Sequence, residues 1–320
     1  MYRVIMVPVD GSAFSREAVF HGLRLARKNG AQLRLVRVAS IPGLVGESDF
    51  VSLETTARMN EHDRLLTELY RLAAECRANS PVEVTATVED GPIADALRGH
   101  ALRHDVDLIV MATHARRGMA RVWLGSVADR LIRETGLPVL LVRPPSLATE
   151  LIDGSCYKRI IVPLDGSSLA ERSLPAAFAL AELEHAELTI LRIVPVAKSI
   201  AAGELHSTIG PARARDVEEA ERYLAGIRVR FAERHVRMRS SVVVADDIPR
   251  AIIGFAQAND GDLIAIATHG RGGIARAVLG SVADRVMSEG VLSALVIHPV
   301  EQIEPVFVPE ARMSGVAVLG

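Results

Sequence analysis

Two short stretches of the chain carry residues suited to binding chemistry, and each occurs twice. The first, Ala267-Thr-His269-Gly270 continuing to Gly280-Ser281, joins an apolar run from Asp262 to Ile266 to a pattern with helical spacing. A glycine-bearing loop that enters a helix offers free amide N–H groups and the positive end of the helix dipole, a setting that favours a phosphate. The second, Pro163-Leu164-Asp165-Gly-Ser, places a carboxylate at the end of another apolar run, suited to ribose hydroxyls or a base amino group. Their twins are Ala112-Thr-His114-Ala115 continuing to Gly125-Ser126, and Pro8-Val9-Asp10-Gly-Ser.

No catalytic set accompanies them. His114 and His269 have no partner at Ser-His-Asp or metal-ligand spacing, which assigns them to structure or ligand positioning. A Walker A motif is absent, and no Rossmann GxGxxG follows the first strand. No protein metal site is expected, so Mg²⁺ would enter through bound phosphates. Cys76 and Cys156 form no CxxC pair and read as ordinary reduced thiols, with Cys156 in a linker where reaction is open to it. Ser126 with Asp129, and Ser281 with Asp284, have capping-box spacing, so pure helix capping is the competing reading of the loop ends. Gly270, Gly272, Gly273 and Gly280 weigh against it, because so many glycines cost chain entropy unless the backbone needs them.

The elements that must position these residues repeat as well. Asp10 and Asp165, His114 and His269, and Gly125 and Gly280 are each 155 residues apart. One offset over the whole length marks a duplicated domain. We read residues 1–145 as the first domain, 146–156 as a linker, 157–300 as the second domain and 301–320 as a C-terminal arm. In the first half, strands at 3–9, 33–38, 82–88, 107–111 and 138–142 alternate with helices at about 15–28, 53–79 and 92–103, Ser12 and Ser15 capping the first of these and Gly30 ending it. The second half repeats this with strands ending at Pro163 and at 188–193, 239–244, 262–266 and 294–297. Its helices fall at about 217–234 and 248–258, after one capped near Ser168 with Glu171 in capping-box spacing. Such alternation predicts an α/β fold with two doubly wound parallel sheets. If the first and fourth strands are neighbours, the carboxylate and the glycine loop share one crevice at the strand ends, with loop and Gly-Ser turn amides for phosphates.

Composition agrees with a globular α/β chain. Of 320 residues 49% are hydrophobic and 24% charged, and the net charge of −2 gives no field that implies nucleic acid or an acidic membrane as partner. The N-terminus runs directly into a strand, and no apolar run is long enough to span a bilayer, so a cytoplasmic protein is expected.

The quoted motifs, in this order, resemble the universal stress protein family, here as a tandem over roughly residues 2–145 and 157–300. The resemblance implies five parallel strands per domain in the order 3-2-1-4-5, the adenine nucleotide alpha hydrolase-like arrangement. It also implies a pseudo-dimer of the two domains through their fifth strands, with a homodimer as a further arrangement. The ATP-binding branch of the family has a glycine, two residues, a glycine, nine residues, then Gly-Ser or Gly-Thr. In the second half this falls on Ala267, Gly270, Gly280 and Ser281. Asp165 would then hold the base or ribose, Ile193 and Ile266 flank the base and Val282 lend an amide, with Pro163, Leu164 and His269 beside them. In the first half it falls on Ala112, Ala115, Gly125 and Ser126, with Pro8, Val9, Asp10, Val38, Met111, His114 and Val127 in the other places. Both early glycines are alanine there, which makes it the weaker site, although Arg116 and Arg117 could add charge for an anion. The expectation is a universal stress protein that binds ATP or a related adenine nucleotide, more surely in the second domain, and regulates by binding. The alternatives are a nucleotide-free interaction module, a slow ATP hydrolase, and a relative of the electron-transfer flavoproteins.

Overall fold

Each half begins with a strand, a turn and a helix, and local chemistry sets both ends of that first helix. In the computed structural model, which describes residues 2–39, 51–78, 80–112, 125–143, 156–196, 211–268, 280–290 and 292–298, β1 (Val4–Pro8) leads into α1 (Ala13–Asn29). Ser12 caps α1 by accepting from the Ser15 amide at 3.1 Å, and Gly30 ends it at φ 62° with its N–H on the Ala26 carbonyl. The chain continues through β2 (Gln32–Ala39), α2 (Val51–Ala78), β3 (Val84–Asp90) and α3 (Ile93–Arg103). β4 (Leu108–Ala112), α4 (Ser126–Thr135) and β5 (Val139–Val142) complete the half.

The second half runs β6 (Arg159–Pro163), α5 (Ser168–Glu171), α6 (Leu174–Glu184), β7 (Glu187–Pro195), α7 (Pro211–Arg230) and β8 (Met238–Ala245). It ends with α8 (Ile248–Ala258), β9 (Leu263–Ala267), α9 (Ser281–Glu289) and β10 (Ser293–Ile297). All ten strands form one sheet in the order β3-β2-β1-β4-β5-β10-β9-β6-β7-β8, so each half has the parallel order 3-2-1-4-5. The halves meet antiparallel through β5 and β10, with Val139 opposite Val296 and Leu140 opposite Leu295. All four residues of β5 are buried, which explains its unbroken apolar run.

Side chains alternate across the sheet, so two cores form, one per face, and each draws on both halves. One holds Leu140, Val142 and Leu295 with α1 and α6; the other holds Val139, Leu141 and Val296 with α4 and α9. Asp107 and Asp262, the aspartates that open both fourth-strand runs, staple the sheet. Asp107 accepts from the amides of Arg3 and Val4 at 2.7 and 2.9 Å, and Asp262 from those of Lys158 and Arg159 at 2.6 and 3.1 Å.

Several sequence expectations are corrected. The third strand starts at Val84, not Val82. The helix expected at 217–234 spans Pro211–Arg230. The first helix of the second half is two helices, because Pro175 lies in the first turn of α6 and has no N–H to continue α5. Its cap is Ser167, not Ser168, and Glu171 closes no capping box. Its carboxylate instead accepts from the Tyr223 hydroxyl at 3.0 Å and from Arg230 at 2.5 Å.

Candidate functional site

Asp10 and Asp165 leave β1 and β6 into turns that fold on themselves in the same way. Asp10 Oδ1 accepts from the Ser12 amide at 2.9 Å; Asp165 Oδ1 accepts from the Ser167 amide at 2.9 Å and the Ser167 hydroxyl at 2.5 Å. Ser167 Oγ in turn accepts from the Ala170 amide at 3.1 Å, capping α5 as Ser12 caps α1. Gly11 and Gly166 make the turn at φ 83° and 85°, where a side chain is strained. The serine amides expected to meet phosphates therefore already serve the aspartates. What this turn presents outward is an exposed carboxylate held by its own backbone.

An arginine lies behind each turn, a feature the motif reading missed. A Cβ on Gly11 would come within 3.1 Å of Arg37, and one on Gly166 within 3.7 Å of Arg192. Arg192 donates to the Leu164 carbonyl at 3.3 Å, whereas Arg37 pairs with Glu68 at 2.8 Å. The signal was present in the sequence, since both arginines interrupt apolar runs at the same 155-residue offset.

The strand order brings the two sequence motifs to one edge. β1 lies beside β4, with Ile5 opposite Leu108 and Met6 opposite Ile109, and β6 lies beside β9 through Ile160–Leu263 and Ile161–Ile264. Pro8, Val9 and Asp10 thus share the carboxyl end of the sheet with Met111 and Ala112, and Val38 follows on β2. In the second half Pro163, Leu164 and Asp165 share it with Ile266 and Ala267, and Ile193 follows on β7. The apolar floor differs between the two. Ile193 and Ile266 are 6% and 5% exposed, while Val38 and Met111 are both only half-buried.

A helix begins at the same edge in each half. α4 and α9 return antiparallel to the strands, so their N-termini lie at the carboxyl edge, led by Gly125-Ser126-Val127 and Gly280-Ser281-Val282. The capping-box reading fails at both. The caps are Gly125 and Gly280, the serines are already helical, and neither N-terminus has a side-chain cap. Among the described residues no side chain accepts from the first amides of either helix, a setting that suits water or a ligand. Gly280 sits at φ 88°, ψ 130°, a region closed to most side chains, but Gly125 sits at φ −60° and a Cβ there would meet nothing within 4 Å. His114, Ala115, His269 and Gly270, like Arg116, Arg117, Gly272 and Gly273, lie outside the described residues.

Thr268, the last described residue before the second loop, is buried, and its hydroxyl lies 2.8 Å from Nδ1 of His298. Burial holds the His298 imidazole below its usual pKa, assisted by Arg133 of α4. Asp129 on α4 is raised by burial, and Asp284 on α9 adds to the shift against the paired Arg133. Cys156 is half-buried at the contact between the halves. Burial, then Glu184, pushes its thiol up to about 11, which fits the reading of an ordinary thiol and tells against the reactivity that its linker position left open. Among the described residues no group of three or more His, Cys, Asp or Glu side chains could hold a metal ion, and no helix is long and apolar enough to cross a membrane.

Comparison with known proteins places this arrangement. The model of the universal stress protein family matches the chain twice, over residues 1–143 and 156–298. A universal stress protein of Methanocaldococcus jannaschii is 31% identical over 147 residues, covering 45% of this chain and 84% of that protein. One from Mycobacterium tuberculosis is 24% identical over 313 residues, covering 89% of this chain and 92% of its own. Among solved structures, a universal stress protein from Archaeoglobus fulgidus superposes with a TM-score of 0.64 at 17% identity, covering 92% of this chain and 98% of that one. That likeness concerns the fold alone.

Proposed function

The chain belongs to the universal stress protein family, and we propose that it is a cytoplasmic regulator that binds ATP or a related adenine nucleotide in its second half. The observation that carries this reading is the start of α9 at Gly280, which has no side-chain cap and lies at the same carboxyl edge of the sheet as the Asp165 turn, β6 pairing with β9. The helix amides suit phosphates, with Mg²⁺ arriving on them. The Asp165 carboxylate suits ribose hydroxyls or the base amino group, and the closed Ile193–Ile266 floor suits the base. The first half keeps the turn through Asp10 but has an ordinary Gly125 and a more open floor, which supports a nucleotide-free role for it. Mass spectrometry of the small molecules released when the purified protein is denatured tests the proposal. An adenine nucleotide is expected from the wild-type chain and not from Asp165→Ala; no nucleotide from either, together with no saturable uptake of added ATP, contradicts it.

A further inference from the structure

The β5–β10 seam that joins the halves is apolar backbone pairing of Val139, Leu140 and Leu141 with Val296, Leu295 and Ala294, and this ladder by itself does not distinguish an unlike pair of halves from a like pair. At its end the Arg143 amide donates to Ser293 Oγ at 3.2 Å and the Arg143 guanidinium to the Met287 carbonyl, contacts to neutral groups of the other half. The helices beside it set charge against charge. Lys28 on α1 donates to Glu184 Oε2 on α6 at 2.8 Å, and Glu184, 1% exposed, also accepts from the Cys156 amide at 2.8 Å. Arg24, buried on the same face of α1, acts on Cys156 within the same cluster.

The 155-residue offset shows that the cluster is one-sided. Glu184 corresponds to Asn29, Lys28 to Leu183 and Arg24 to Ala179. Two first halves meeting by the same geometry would set Lys28 and Arg24 of each copy near Asn29, with no carboxylate between them. Two second halves would bury two Glu184 side chains near leucine, with no cation. A buried charge without its partner is strongly unfavourable, which applies to Glu184 at 1% exposure and to Arg24 at 8%, while Lys28, less buried, loses its partner at smaller cost; the observed Lys28–Glu184 pair is matched.

We propose that the α1–α6 contact is a heterotypic pairing code, in which Lys28 and Glu184 make a first half accept only a second half. The partner that fits the α1 face is therefore a second-half surface, from the same chain or from another copy by exchange. The code is independent of nucleotide. It refuses assembly of like halves, which the strand seam alone permits.

The test uses the full chain with a protease site placed within 146–155, folded and then cut. Isotopically labelled and unlabelled samples are mixed, and native mass spectrometry is read once the labels have scrambled. The strand seam alone gives a statistical mixture, about half unlike pairs; the code predicts about nine-tenths or more. Glu184→Gln, which keeps an acceptor for the Cys156 amide, and Lys28→Glu are expected to raise the share of like pairs, and Lys28→Glu with Glu184→Lys to lower it again. A statistical wild-type mixture, or a double variant no better than the single ones, overturns the proposal. If cut halves do not stay paired, urea unfolding of the uncut chain decides. Lys28→Met and Glu184→Gln are then expected to be non-additive, the double variant losing no more than the worse single one, and strict additivity overturns the code.

Discussion

The two halves share one frame and differ at its edge. Each has the same strand order, the same Asp-Gly-Ser turn and the same arginine behind it. At the crevice the second half has a glycine that its backbone requires and an apolar floor closed to solvent, and the first has neither. Duplication preserves what packing demands, since the core of each face runs through both halves and a loss in one would be felt in the other. Residues at a strand end are under no such packing constraint, so the two edges can differ without cost to the shared core.

The sharpest break in this comparison comes from the two cap glycines. Gly280→Ala forces a side chain into φ 88°, ψ 130°, at a cost of about 1–3 kcal/mol. ATP affinity is expected to fall about tenfold or more as the start of α9 rearranges. Gly125→Ala, at φ −60° in open space, is expected to change stability by less than about 0.5 kcal/mol. Denaturant melts and ATP titrations of the two variants check both. Next in size, Asp165→Asn keeps an oxygen for the Ser167 amide but removes the charge, and is expected to weaken ATP binding about tenfold. Asp10→Asn is expected to leave the titration unchanged.

Protons distinguish the halves less strongly. His21 on α1 is lowered to about 4, by burial first and then by Arg24, and alanine occupies its place in the second half. Its folded pKa lies below the unfolded value of 6.5, so its contribution is intact above pH 6.5 and is lost as pH falls from there through 4. Melting temperatures measured from pH 7.5 to 4.5 are expected to decline, and His21→Asn to flatten the decline. His100, lowered chiefly by burial against its Glu89 hydrogen bond, and His298 add slope of the same sign, which that variant leaves in place. The smallest effects should be equal. Arg130 bridges Asp95 and Glu134 just as Arg285 bridges Asp247 and Glu289. Replacing either arginine by methionine is expected to lower the melting temperature by about 2 °C or less. A marked difference between the two would show that the frame itself has diverged.

Much of this was legible in the sequence because periodicity and repetition report packing. The alternation of strands and helices, Gly30 as a stop and the 155-residue offset lead directly to two like sets of five parallel strands, which the structure joins into one sheet. Spacing alone misread the helix starts. Ser126 with Asp129 fits a capping box as text, but the structure begins each helix one residue earlier, with glycine as the cap. The same ambiguity shifted the cap from Ser167 to Ser168, since adjacent serines both satisfy the pattern. Arg37 and Arg192 escaped because a charge inside a strand reads as solvated until the turn beneath it is seen. The Lys28–Glu184 contact was beyond reach, as it depends on how α1 and α6 meet across the seam.

Counting ATP on the intact chain tests the central claim most directly. Equilibrium dialysis with ATP and Mg²⁺ on wild type, Gly125→Ala and Gly280→Ala is predicted to give one equivalent per chain, unchanged by the first substitution and weakened by the second. Two equivalent sites, or binding that follows Gly125 rather than Gly280, would contradict the account.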